Sequence, residues 1–322
     1  MDKLILSLLV LATANAANAH NHTSFQQHIK QLKTELTAKG YDATILDKVF
    51  ENNFVPDARV KKSLKNQPEV KFSFNKYVNG KLTKWRINTG RKKYQENLPF
   101  LKEIEKQYSV DPAVVIALWG VETNYGTYPL GHNAFKALTN ISYTHSRESR
   151  RNFFKKELFD LFELAKKNNL DPLELKSSWA GALGQCQFMP SNVLKYAKDG
   201  NGDGKVDIWT TEKDVFASAA NFIEILGWQY GIANIHEVEA PKGFNILEKR
   251  SYKSAAVWKS KGFKFKDNNY SVHDKLKLFA PVNKENKVYL VSKNFDVIKR
   301  WNNSDYFAFS VLALAEKIKE VE

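Results

Sequence analysis

Nine consecutive residues, Ala113 to Val121, carry no charged side chain. The run is too continuous for a single apolar stripe and predicts a helix buried on every face. Asp111 supplies a capping carboxylate, and Pro112 suits the first helical position. The apolar run stops at Glu122, which helical spacing puts on one face with Val115, Leu118 and Trp119. A carboxyl on such a face resists ionisation, so the expectation is a raised pKa and an acid still protonated near neutral pH. The plainer alternative is that Glu122 marks the point where the helix reaches solvent.

Elsewhere the pattern predicts mostly helix. Two short amphipathic helices are expected between Ser24 and Val60, with Ser24 as a cap, Gly40 as a stop and Ala43 to Phe50 resuming the helical spacing. Gln67-Pro68-Glu69 reads as a turn, Lys84 to Lys93 as basic and exposed, and helix resumes near Tyr94. A long helix from Arg147 to Asn168 directs Phe154, Leu158, Leu161, Phe162 and Ala165 to a core. Asp171-Pro172-Leu173-Glu174 has the form of a capped helix start, and Thr211 to Asp214 that of a capping box opening a helix from Glu212 to Leu226. From 231 to 283 the texture changes to short apolar runs and frequent Lys, predicting strands and loops with one short helix at Ala255 to Lys259. Lys287 to Ser292 is strand-like, and Ser304 caps a last helix through Lys319. The expected fold class is α+β, mostly α-helical. A helical domain spans 20–100 and is joined by a carboxy-terminal helix at 304–322; a core spans 101–230, a small β-containing insertion 231–283, and 284–303 returns to the core.

Composition narrows the setting. The chain has 322 residues, of which 43% are apolar, enough for one large domain or two to three small ones. Residues 1–19 combine Lys3, an apolar run from Leu4 to Ala12 and the small-residue end Ala17-Asn18-Ala19, the pattern of a secretory signal cleaved before His20. The mature chain is therefore expected in the periplasm, without a lipid anchor because no Cys follows the cleavage site. Cys186 is the single cysteine, so stability rests on packing and not on an internal disulfide. The formal net charge of +14 comes from lysines spread along the chain, which suits a polyanionic surface or polymer. No nucleic-acid-binding motif is visible, which argues against nucleic acid as the partner.

Two further stretches carry candidate chemistry. In Ser177 to Pro190, Ala180, Gly181, Ala182 and Gly184 leave little bulk around Gln185 and Gln187, so a backbone or a ligand can approach closely. Gln187 both donates and accepts, and beside Trp179, Phe188 and Met189 it has what is needed to hold an amide or hydroxyl of a sugar or peptide. A tight helix crossing with incidental amides is the alternative. Cys186 reads either as a small packed side chain or as a nucleophile. Asp199 to Thr210 nearly reproduces an EF-hand calcium loop: Asp199, Asn201 and Asp203 take the first, third and fifth positions, Gly204 the sharp turn, the Lys205 carbonyl the seventh and Asp207 the ninth. The twelfth position is Thr210 in place of Glu, which predicts weak or absent binding of Ca2+ (or Na+), in a loop serving mainly as structure.

Five motifs then fall in one order: QPEVKFSFNKYV, WGVETNYG, SWAGALGQCQFMPS, YAKDGNGDGKVDIW and NFDVIKRWN. In that order they resemble the lytic murein transglycosylase B family of peptidoglycan-cleaving enzymes, over nearly all of the chain after residue 19. The resemblance implies a lysozyme-like helical core flanked by a helical domain and a small β domain, with peptidoglycan glycan strands as the partner and no required cofactor. It implies that Glu122 is a single catalytic acid/base. Glu122 would protonate the glycosidic oxygen between N-acetylmuramic acid and N-acetylglucosamine, then take the C6 hydroxyl proton as that oxygen attacks C1, leaving a 1,6-anhydromuramoyl end. Ser178, Gln187, Asn302 and Tyr125 match positions that the resemblance assigns to substrate binding, and Trp301 stands at another such position. The pattern departs at Trp301 and Phe307, where the family carries Tyr. Two other readings stay open on the sequence: a muramidase that admits water to the intermediate, and an inactive peptidoglycan-binding scaffold.

Overall fold

The computed structural model describes residues 24–51, 54–65, 71–244, 251–281 and 287–320. The expected signal at 1–19 and the expected turn at 67–69 lie outside the described residues. Along the chain the helices are α1 (24–38), α2 (Ala43–Val49), α3 (Ala58–Lys65), α4 (Phe74–Lys81), α5 (Lys84–Glu96), α6 (Leu98–Tyr108) and α7 (Pro112–Thr123). They continue with α8 (Ala134–Thr144), α9 (Glu148–Lys167), α10 (Pro190–Tyr196), α11 (Glu212–Ile225), α12 (Ala255–Ser260), α13 (Lys293–Trp301) and α14 (Asp305–Lys319). The strands are β1 (His132–Asn133), β2 (Lys176–Ser177), β3 (Ile235–Glu239), β4 (Tyr252–Ser254), β5 (Lys264–Phe265), β6 (Lys275–Phe279) and β7 (Val288–Val291). The chain divides into two units, one holding 24–65, 130–183 and 188–194, the other 66–129, 184–187 and 195–320.

In the first unit α8 and α9 pack together, and the stripe read from the sequence, Phe154, Leu158, Leu161, Phe162 and Ala165, is buried. Phe162 meets Phe135 edge-on at 4.7 Å. Glu157, buried on α9, accepts bonds from the backbone N–H of Ser191 at 2.9 Å and its hydroxyl at 2.8 Å, so a carboxylate from one helix closes the amino-terminal end of α10. Residues 171–174 form only a turn, with Asp171 accepting from the N–H of Leu173. The expected helix there is absent because the chain pairs at once as β2 against β1, which leaves no length for it. The segment 177–190 likewise holds no helix crossing: antiparallel bridges join Ser177 to Leu183 and Leu183 to Phe188.

In the second unit α7 is the buried axis. Asp111 accepts from the N–H of Ala113, Pro112 opens the helix, and every residue from Pro112 to Val121 is buried. Burial of Val114, Val115, Ile116 and Leu118 contributes roughly 1.5–3 kcal/mol each. Helix α14 packs along α7 and also meets α4 and α5; Lys319 near its end pairs with Asp111 at 2.8 Å. The five strands of the antiparallel sheet run β4-β6-β7-β3-β5. One side closes over Trp258, Leu276, Leu278 and Leu290, with the Trp258 indole donating to the carbonyl of Leu276. Phe279 and Tyr289 meet Phe74 and Phe309.

Two expectations change in this unit. The basic stretch Lys84–Lys93 is not an exposed run but most of α5, capped by Thr83, and Arg86 within it is buried. Thr211 makes no side-chain cap to α11. Asp214, the other half of the expected capping box, is turned instead to the loop before the helix, where backbone N–H groups need an acceptor.

Candidate active site

Helix α7 ends in a left-handed turn formed by Asn124 and Tyr125, with φ of 52° and 60°. Glu122 lies in the last turn, half-buried. Its Oε1 accepts a 2.8 Å hydrogen bond from the indole Nε1 of Trp301, the last residue of α13. The indole is itself held: its ring sits 5.3 Å from Phe222, which stacks on Tyr196 at 4.6 Å. An indole N–H only donates, so Oε1 is fixed as an acceptor.

The segment 184–187 runs beside α7 in the same unit. Gln185 accepts from the Trp119 indole at 2.6 Å and donates to the carbonyl of Trp209 at 2.7 Å. Its backbone N–H donates to Ile208 and its carbonyl accepts from the Thr123 hydroxyl. Cys186 is buried, with its thiol on the carbonyl of Val215 at 3.4 Å; burial first, then the charges of Glu122 and Asp214, push the thiol up, an environment that suits a packed side chain. Gln187 has a left-handed φ of 52° and donates from its amide to the carbonyl of Gly184 at 3.0 Å. Three of the five non-glycine residues with positive φ among the described residues are Asn124, Tyr125 and Gln187. Asn124 and Tyr125 lie two and three residues after Glu122, so left-handed backbone ends the helix just beyond the carboxyl.

The remaining predicted residues have separate settings. Tyr125 is buried and its hydroxyl donates to the carbonyl of Arg86 at 2.7 Å; burial pushes that hydroxyl up. Its ring fills the space beside Gly120, where an added Cβ would lie 2.5 Å from it. Asn302 caps α13, and its carbonyl accepts from the N–H of Ser304 at 2.7 Å. Ser178 belongs to the first unit, where its hydroxyl accepts from the N–H of Ala182 at 3.1 Å. Arg86 and Gln185 were not named as site residues from the sequence; the place of Gln185 within the small-residue segment was the one signal for it, and Arg86 had none.

The loop 199–210 is closed by its own side chains. Asp199 accepts from Gly202 and Gly204 at 2.7 Å each, Asp203 from Lys205 at 2.8 Å, and Asn201 donates to Asp203 at 2.9 Å. Asp207 accepts from the N–H of Trp209 and from both the N–H and hydroxyl of Thr210. Asp214, buried on α11, takes the N–H groups of Gly200 at 2.8 Å and Asp207 at 2.7 Å. Among the described residues no group of three or more His, Cys, Asp or Glu is placed to hold a metal ion. The donor set therefore fits a calcium cage only in part, since the twelfth position is a hydroxyl already bonded to Asp207.

These features describe a mostly helical protein with an indole-braced carboxyl at the end of a buried helix. The family model for the transglycosylase SLT domain matches residues 24–316, and the chain belongs to that family. Membrane-bound lytic murein transglycosylase B of Escherichia coli (strain K12) is 31% identical over 218 residues, covering 66% of this chain and 58% of that protein; the match spans less than two thirds of the relative. SltB3 from Pseudomonas aeruginosa, solved in complex with NAG-NAM-pentapeptide, aligns with a TM-score of 0.83 at 30% identity, over 92% of this chain and 80% of that one. Escherichia coli Slt35, solved in complex with calcium, shares the fold at a TM-score of 0.77 and 24% identity, over 92% and 93% of the two chains. The fold is that of the lysozyme-like lytic transglycosylases.

Proposed function

We propose that this protein is a lytic transglycosylase that cleaves the β-1,4 bond between N-acetylmuramic acid and N-acetylglucosamine in peptidoglycan without hydrolysis, using Glu122 as its single acid/base. The observation that carries the reading is the Trp301 N–H on Oε1 of Glu122. With one oxygen fixed as acceptor, the other is the proton-bearing atom. Oε2–H protonates the glycosidic oxygen as the bond from C1 breaks, releasing the 4-hydroxyl of the departing sugar. The carboxylate so formed takes the C6 hydroxyl proton while O6 bonds to C1, and the acid is regenerated with the 1,6-anhydro ring. No second carboxylate is required, because the substrate supplies the nucleophile that another glycosidase would take from a side chain or water. The 2-acetamido oxygen of the substrate stabilises the cationic centre between the two steps.

Gln187 and Asn302 serve in positioning the sugar, as does Ser178, which enters this reading on its motif alone. SltB3, with NAG-NAM-pentapeptide in its crystal, supports the choice of substrate. The leader pattern at 1–19 supports a periplasmic location; no described helix is long and apolar enough to cross a membrane. Calcium binds weakly, in the 199–210 loop, and takes no part in the chemistry. Mass spectrometry of the products released from purified sacculi tests the reading. Anhydromuramoyl ends are expected; reducing muramic acid ends would make the protein a muramidase, and binding with no soluble product would make it a scaffold.

A further inference from the structure

Glu122 sits where a helix is least hospitable to a carboxylate. The last-turn carbonyls lack intrahelical donors, and the negative pole of the helix opposes a negative side chain. Two cations from outside α7 reach this end. Arg86, on the first turn of α5 and 8% exposed, donates from Nε to the carbonyl of Gly120 at 3.1 Å and from Nη2 to Oδ1 of Asn124 at 2.5 Å. Its Nη1 donates to the carbonyls of Gly80 at 2.9 Å and Lys81 at 2.7 Å. Lys81 in turn donates to the carbonyl of Val121 at 3.1 Å. The two carbonyls immediately before Glu122 and the amide two residues after it are thus all held by cations. The backbone of Arg86 is fixed as well, through the hydroxyl of Tyr125. The four acceptors of the guanidinium are neutral oxygens, and its burial works against its charge. A buried cation without a carboxylate partner is a poor way to gain stability, so its presence needs another account.

We infer that Arg86, acting through Gly120 and Asn124, is a positioning residue for Glu122: its planar fork fixes the last turn of α7 on both sides of the carboxyl, so that Glu122 meets the Trp301 N–H in one orientation. This rests on the reading of Glu122 as the acid/base. A lysine cannot replace the fork, since an ammonium is a point charge without the fixed spacing that bridges Gly120 and Asn124.

Asn124 gives the clean test, because its φ of 52° suits glycine and the substitution removes the amide without straining the turn. Asn124→Gly is expected to lower kcat on sacculi about tenfold or more, with KM and the melting temperature unchanged. Asn124→Asp, which keeps an acceptor for Arg86, is expected to stay within about threefold of the parent, and Arg86→Lys to fall with Asn124→Gly. A parent-like kcat in Asn124→Gly overturns the inference. So does a loss of rate fully matched by a loss of folded protein, which would make Arg86 a brace and nothing more. Glu122→Gln is measured alongside: if it retains the parent rate, the acid/base reading itself fails. If it is inactive while Asn124→Gly is parent-like, only the positioning role fails.

Discussion

The indole Nε1 of Trp301 donates at 2.8 Å to Oε1 of Glu122, a contact between residues 179 apart in the chain. It joins the end of α13 to the end of α7 within one unit, and it fixes Oε1 of the carboxyl as an acceptor. A change of side chain at Trp301 therefore bears on the acid directly.

Removing that donor while keeping an aromatic ring isolates its effect. Trp301→Phe is expected to lower kcat about tenfold, the kinetic equivalent of a charge-assisted bond of roughly 1.5 kcal/mol. KM on sacculi should move less than kcat. Steady-state release of muropeptides checks this; an unchanged kcat would show that the indole does not govern the acid.

Glu122→Gln keeps the shape and removes the transferable proton. Loss of turnover by a factor of about 10²–10⁴ is expected, with glycan retention on sacculi and the melting temperature both preserved. Product counting by chromatography decides, and appreciable turnover in this variant would sink the assignment.

Acid should weaken the first unit through His28. Burial first, then the charge of Lys155, lowers its pKa from 6.5 to about 4, while its Nε2 lies 3.1 Å from the Ser142 hydroxyl. Because the fold holds the ring neutral, the unfolded chain binds the proton more tightly, so this contribution is whole above pH 6.5 and is lost as the pH falls toward about 4. Its full size is at most ~3 kcal/mol, reduced by solvent around the incompletely enclosed ring. Urea melts of the parent and of His28→Gln across that range should show a shallower acid slope in the variant; parallel slopes would remove His28 from the account.

Calcium should matter little. With Thr210 in the twelfth position, the loop is expected to bind with a dissociation constant of order 10⁻³ M, so that millimolar calcium adds only about 0.4 kcal/mol. Calorimetric titration and melting curves with and without a chelator check this, and micromolar affinity would contradict it.

The helix that carries Glu122 was legible in the sequence because every local signal agreed: an Asp cap, a Pro at the first turn and an apolar run with a sharp end. The strip around Gln187 was legible as a place of close approach, since small residues mark it whatever they approach. Arg86 was not. In a stretch with Lys84, Arg91, Lys92 and Lys93, one more cation reads as solvated, and only the packing of α5 against α7 shows that this one is enclosed. Asp214 was misread for a related reason. A carboxylate three residues after Thr211 satisfies the capping-box pattern, but the unpaired N–H groups of Gly200 and Asp207 claim it. The pairing of Trp301 with Glu122 depends on tertiary structure alone, and no spacing rule reaches across that separation.

Gln185 has one further consequence. Its single amide bridges the indole of Trp119, inside the buried helix, and the carbonyl of Trp209, at the far edge of the 199–210 loop. Any loosening of that loop, by mutation or proteolytic nicking, is thereby handed to the interior of the helix without an intervening residue to absorb it. Damage to that loop is therefore expected to lower turnover on sacculi before it lowers the melting temperature.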